Sequence, residues 1–234
     1  MSGPRDVDDH LAPQDTGRGA SPIGPGHEDP VKRRAVVELA PDLQRLWEEL
    51  QALHRALRGE KRARWNRSLP FEDELFDRWE RARCLGFGEG SSIYQQSYVF
   101  GDVKVGRHTW IGPLTVLDGS GGIEIGDFCS ISSGVHIYSH DSVKWALSGG
   151  KVPYERAPVK IGNCCYVGSD TVITKGVTIG DHCLVAACAF VNKNLPAFTI
   201  AAGVPCRLVG WVELVEGDVR LNYRPRGEQT GDAS

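Results

Sequence analysis

An aliphatic residue returns every six positions through most of the second half of this chain. It stands at Ile93, Val99, Val105, Ile111 and Leu117, resumes after an eight-residue step at Ile125, Ile131 and Ile137, and returns at Ile161, Val167, Ile173, Ile179, Val185 and Val191. A period of six fits neither the 3.6-residue repeat of a helix nor the alternation of a simple strand. It describes a short strand, a tight turn and the next strand, three to a triangular coil, which is the repeat of a parallel β-helix. The anchors point into the core. Four places after an anchor the residue is usually small or β-branched: Ser97, Val103, Thr109, Thr115, Cys129, Val135, Cys165, Thr171, Val177, Cys183 and Ala189. Glycine often follows the anchor, as in "VGRHTW", "IGDFCS" and "IGDHCL". The turn brings backbone close to the axis there, so Cys129, Cys165 and Cys183 read as small buried hydrophobes rather than nucleophiles.

The beat stops once, in "GVHIYSHDSVKWALSGGKVPYERAPVKIG", and two histidines, His136 and His140, sit where it breaks. The interruption, residues 138–160, reads as a loop thrown out from the β-helix. It carries Lys144, Trp145, Tyr154, Glu155 and Arg156. An aromatic beside charges suits a sugar or nucleotide platform, or a contact between subunits.

Residues 1–34, rich in Pro, Gly and Asp, read as a disordered tail. Residues 35–87 read as a helical extension. In "PDLQRLWEELQALHRALRG" the apolar residues fall at three- and four-residue steps, with Pro41 at the start and Gly59 at the exit. A second helix is expected over "LPFEDELFDRWERARCLG", opened by Pro70 and stopped by Gly86. The β-helix is expected over 88–212, with a C-terminal segment and tail at 213–234. The net charge of −3 gives no basic surface for nucleic acid or for a membrane. No apolar run reaches the length of a membrane helix, and the polar, acidic N-terminus lacks the core of a signal peptide. The cytoplasm is the expected location, where seven cysteines without a CxxC pair stay reduced.

These residues resemble the hexapeptide-repeat acyltransferases, in particular the maltose, galactoside and nodulation-type sugar O-acetyltransferases and the nucleotide-sugar N-acyltransferases. The stretches that carry the resemblance are "LTVLDGSGGIEIGD", "PVKIGNCCYVGSDTVITKGVTIGD" and "VNKNLPAFTIAAGVPCRLVG". The resemblance implies a mainly β fold, a left-handed parallel β-helix, assembled as a homotrimer with an active site in each groove between two protomers. It implies acetyl coenzyme A as donor, lying along that groove, and a saccharide or other small-molecule acceptor. It also implies that His140 in "IYSHDS" is the catalytic base. Asp118 in "VLDG" matches an acidic position near the acceptor, and His136, Trp145 and Tyr154 are further acceptor-side candidates. On the donor side Tyr166 stands where tryptophan is common in the family. Gly168, Ser169, Ala186 and Ala187 lie in small-residue turns that permit close approach, and Lys193 and Arg207 match positions near the adenosine end. The family's acceptor-binding asparagine is absent; "WIGPLT" stands in its place.

The chemistry suits these residue types. Acyl transfer from a thioester needs a base for the attacking hydroxyl or amine, a donor for the oxyanion and a channel for the long donor molecule. Imidazole serves the first, backbone N–H groups the second. Two rival readings share the fold. A γ-type carbonic anhydrase needs three histidines around zinc, and no third histidine stands in a suitable coil, so no metal is expected. A non-catalytic trimeric scaffold would need neither a loop histidine nor a donor segment.

Overall fold

The computed structural model describes residues 41–223; the expected tail at 1–34 lies outside them. The chain divides into two units, Met1–Glu49 and Leu50–Ser234. Of the first, only the opening turns of helix α1 (Pro41–Trp65) are described. Gly59 does not end that helix. One glycine costs about 1 kcal/mol in a helix interior, and the strong helix formers from Glu60 to Arg64 carry the turn past it. It closes at Asn66, whose N–H bonds to Arg62 O with φ 51°. The second expected helix is two. Helix α2 (Phe71–Leu75) stops because Asp77 starts a new one, α3 (Arg78–Cys84), its carboxylate accepting from the N–H groups of Trp79 and Glu80 at 2.8 and 2.9 Å.

These short helices cap the open end of the β-helix. Ala82 and Phe87 are buried against it, Arg81 donates to the carbonyls of Tyr94 and Ser97, and Asp73 accepts from the N–H of Gln95. Glu74, fully buried, is held by His54 at 2.9 Å.

The β-helix follows in chain order as β1 (Ser92–Ile93), β2 (Tyr98–Val105), β3 (Trp110–Ile111), β4 (Val116–Ile125), β5 (Ser130–Ile131) and β6 (His136–Tyr138). The excursion then holds β7 (His140–Asp141), α4 (Val143–Leu147) and β8 (Glu155–Arg156). The coils resume with β9 (Val159–Ile161), β10 (Tyr166–Val167), β11 (Val172–Ile173), β12 (Thr178–Ile179), β13 (Leu184–Val185), β14 (Phe190–Val191) and β15 (Thr199–Ala202). An antiparallel hairpin of β16 (Arg207–Val215) and β17 (Asp218–Tyr223), not expected from the repeat, closes the far end.

Pairing between coils is parallel and defines three faces. The first stacks β1, β3, β5, β10, β13 and β15. The second and third share the long strands β2 and β4, which bend round a corner. Residues 116–118 of β4 pair with β6, and 123–125 pair with β9. The anchors fill the interior: Ile93, Ile111, Leu117, Ile131, Ile137, Val167, Ile173, Val185 and Val191 are each 0% exposed.

The residue four places on does more than stay small. Along the corner between the third and first faces its hydroxyl or thiol donates to a carbonyl one coil further: Ser91 to Gly106 O, Thr109 to Gly126 O, Cys129 to Gly162 O, Cys165 to Gly180 O and Cys183 to Pro196 O, at 2.7–3.1 Å. The residue before it takes the left-handed conformation. Gly134 and Gly176 do so freely, but Leu114, Phe128, Asp170 and Phe198 also adopt φ of 55–60°.

Two stability changes follow. Ile173→Ala should lower unfolding free energy by roughly 2–5 kcal/mol, the cost of a core cavity. Leu114→Asn, at a corner with φ 60°, should raise it by up to about 1 kcal/mol by easing left-handed strain. Denaturant titration of both variants checks this.

Candidate functional site

The excursion leaves the β-helix at the corner between the second and third faces. Its root is Ser139, fully buried, which follows β6. Ser139 Oγ donates to Asp118 O at 2.6 Å and accepts from Gly121 N at 2.7 Å, while its own N–H donates to Asp118 O at 3.0 Å. Gly121 has no room for a side chain, since a Cβ there would lie 2.4 Å from Ser139 O. This explains both "GSGG" and the eight-residue step: β4 has to turn its corner directly under the departing chain. Sequence reasoning missed Ser139; its only signal was its place between the last anchor and the histidine.

Asp118 is the outward residue after the anchor Leu117, in register with Tyr138. Outward on a β-helix usually means solvent, yet Asp118 is only 7% exposed because the loop root crosses it. Ser120 holds one carboxylate oxygen, donating to Oδ1 from its hydroxyl at 2.6 Å and its N–H at 3.0 Å. The other oxygen, Oδ2, stands 2.7 Å from Nδ1 of His140. The approach is a close contact without the alignment of a linear hydrogen bond, and no hydrogen-bond partner among the described residues reaches that nitrogen. The described residues give Nε2 no partner.

Around the imidazole, Tyr154 stands with ring centroids 6.2 Å apart, and Trp145 meets Tyr154 edge-on at 5.4 Å. Asp118, His140, Trp145 and Tyr154 therefore form one cluster. His136 faces outward on β6, its Nδ1 3.2 Å from the hydroxyl of Tyr138. Among the described residues no three His, Cys, Asp or Glu side chains converge as a metal site.

The donor-side candidates lie apart from this cluster. Tyr166 is exposed on the first face. Gly168, Ser169, Ala186 and Ala187 meet at the corner between the first and second faces, where a Cβ on Gly168 would lie 2.4 Å from Ala187 N. The N–H groups of Gly168 and Ala186 are consumed by the coil-to-coil ladder, donating to Val185 O and Ala201 O. Those of Ser169 and Ala187 take no part in that ladder. Lys193 is exposed in the turn after β14, and Arg207 opens β16. The chain thus holds the imidazole at one corner and the small-residue turns at another.

The hairpin beyond His140 is charged. Asp141 is held well below the ordinary carboxylate range, first by Lys175 and then by the N–H of Val143. Glu155 is lowered by Lys144 and Lys175, and Lys175 is raised by both carboxylates.

The segment 158–193 matches the family described as bacterial transferase hexapeptide (six repeats). The galactoside O-acetyltransferase of Escherichia coli K12 is 30% identical over 125 residues, covering 45% of this chain and 62% of that protein. A putative colanic acid biosynthesis acetyltransferase, WcaF, of the same organism is 31% identical over 109 residues, covering 46% and 57%. The chain thus spans about three fifths of the curated relatives it matches. Among solved structures, a hexapeptide-repeat-containing acetyltransferase from Vibrio cholerae O1 biovar eltor, complexed with acetyl coenzyme A, superposes with a TM-score of 0.52 at 26% identity, over 71% of this chain and 90% of that one. No described helix is long and apolar enough to cross a membrane.

The charge pattern sets the loop's pH range. Carboxylates with lowered values stabilise the hairpin above the ordinary range near 4 and lose that contribution as pH falls through the lowered values. The raised Lys175 keeps its part up to and beyond the ordinary lysine range. The NMR signal of the Trp145 indole should therefore shift on acidification below about 4, as the hairpin's ion pairs are lost.

Proposed function

We propose that this protein is an acyl-coenzyme A-dependent acyltransferase, using an acetyl donor to modify a hydroxyl or amine of a saccharide or nucleotide-linked sugar. The observation that carries the reading is the 2.7 Å approach of Asp118 Oδ2 to His140 Nδ1 at the root of the excursion. The similarity to named sugar acetyltransferases and to an acetyl-coenzyme A-bound relative supports it.

The carboxylate favours the tautomer with the proton on Nδ1, which leaves the Nε2 lone pair for the acceptor. As the hydroxyl oxygen attacks the thioester carbonyl, Nε2 takes its proton. The imidazolium so formed sits against Asp118, whose carboxyl group is held in place by Ser120. The tetrahedral intermediate then collapses, expelling the thiolate, which is protonated from the imidazolium. No covalent enzyme intermediate is needed, since holding both substrates together lowers the barrier substantially. Trp145 and Tyr154 offer an aromatic wall to the acceptor. The N–H groups of Ser169 and Ala187 can pair with the amides of pantetheine, Tyr166 can pack against the donor, and Lys193 and Arg207 can meet its phosphates.

Because the imidazole and the small-residue turns occupy different corners, a second protomer is needed to bring a donor turn to His140. This supports the homotrimer. Seven free cysteines suit a reducing, cytoplasmic setting.

The acceptor is found first, by mass-shift screening of sugars and nucleotide-linked amino sugars with acetyl coenzyme A. On that acceptor His140→Ala should lower kcat by roughly two to four orders of magnitude, with coenzyme A affinity by calorimetry nearly unchanged. Asp118→Asn should act in the same direction and less strongly. Near-normal turnover of His140→Ala would remove the base assignment, and a monomer by light scattering would remove the shared site.

A further inference from the structure

The hairpin that carries His140 has little of its own to hold it. β7 and β8 contribute two residue pairs, His140 with Arg156 and Asp141 with Glu155. The helix α4 between them buries no residue. The second pair sets two carboxylates directly opposite each other across an antiparallel ladder, an arrangement in which like charges repel.

One cation stands between them. Lys175 comes from the turn after β11, one coil further along the same corner. Its Nζ lies 2.5 Å from Asp141 Oδ2 and 3.0 Å from Glu155 Oε2. Lys144 of α4 meets the remaining oxygen of Glu155. The same turn also touches the loop's exit through the main chain, Gly176 N donating to Ala157 O at 3.3 Å. Lys175 is the part of this network that belongs to the β-helix body; Asp141, Lys144 and Glu155 all belong to the excursion.

We propose that Lys175 is a positioning residue for His140: by neutralising the opposed carboxylates from the rigid coil below, it holds the hairpin shut and keeps the imidazole against Asp118. The proposal rests on His140 being the base. Without the ammonium, Asp141 and Glu155 repel across the ladder, the two-pair hairpin parts, and the residue next to Asp141 is His140 itself. Partly exposed ion pairs contribute little to global stability, so the effect is local: geometry at Nε2 changes while the coils stay folded. Within its own chain Lys175 stands at a different corner from the donor turns, so its loss is expected to change donor affinity far less than turnover.

The test uses the full chain in three variants: Lys175→Met, Lys175→Arg, and Lys175→Met combined with Asp141→Asn and Glu155→Gln. Hydrogen exchange of residues 139–158 reads the clamp directly. Steady-state kinetics on the acceptor found above read its consequence. Lys175→Met should raise exchange in this segment about tenfold or more, with the melting temperature nearly unchanged. It should lower kcat by about a hundredfold, the usual cost of an ångström of misplacement, with KM for acetyl coenzyme A within about twofold of the parent. Lys175→Arg should restore most of both, and so should the triple variant, in which there is no repulsion left to neutralise. Unchanged exchange in Lys175→Met overturns the proposal, as does a triple variant as open as Lys175→Met. If exchange follows the stated pattern but the parent protein transfers no acyl group to any acceptor, the clamp stands and the functional reading falls.

Discussion

Coil-on-coil hydrogen bonding is the constraint on which the rest of this molecule depends. Each short strand has its N–H and C=O groups satisfied by the coils before and after it, as in Trp110 N to Cys129 O, Ser130 N to Cys165 O and Tyr166 N to Cys183 O. The corner hydroxyls and thiols repeat the arrangement with side chains. Such stacking fixes one coil directly over the next, and the inward anchors leave no interior space for a ligand. A β-helix that obeys this rule everywhere offers only open grooves between its coils, such as the one lined by Gly126, Gly162 and Gly180. An enclosed acceptor site is placed most readily where the rule is suspended, and among the described residues the coils are interrupted once, at residues 139–158.

The departure is organised by a few polar atoms. Ser139 ties the leaving chain to the carbonyl of Asp118, Gly121 makes room for it, and the crossing chain shields the Asp118 carboxylate from water. A carboxylate removed from bulk solvent exerts a stronger field on the imidazole beside it than one on an open face would. The same covering that shields Asp118 also brings His140 beside it. Beyond the root the hairpin is held mostly by charge, which makes its position easier to change than that of the coils.

The anchors, the buried cysteines and the site of the excursion were legible in the sequence because a six-residue period leaves few alternatives. Helix ends were less so: Gly59 looks like a stop, but the run after it outweighs one glycine, and Asp77 looks like one more acidic residue until its carboxylate is seen capping α3. The left-handed corners were hidden because residues as unlike as Leu114, Phe128 and Asp170 occupy them under the compulsion of the stack. Asp118 was noticed as acidic and assigned to the acceptor; its 2.7 Å approach to His140, 22 positions along the chain, was not legible because the repeat does not specify where the loop root crosses. Lys175 carried no signal, since its partners belong to a loop whose path the repeat does not specify.

The account's central claim is that His140 Nε2 is the base beside a thioester shared between protomers. A crystal structure with coenzyme A bound tests it most directly. The account predicts a trimer with the thiol of each coenzyme A within about 3–4 Å of a His140 Nε2, and its pantetheine amides on Ser169 and Ala187 of the adjoining protomer. Coenzyme A bound with its thiol at another corner, away from every His140, would contradict it.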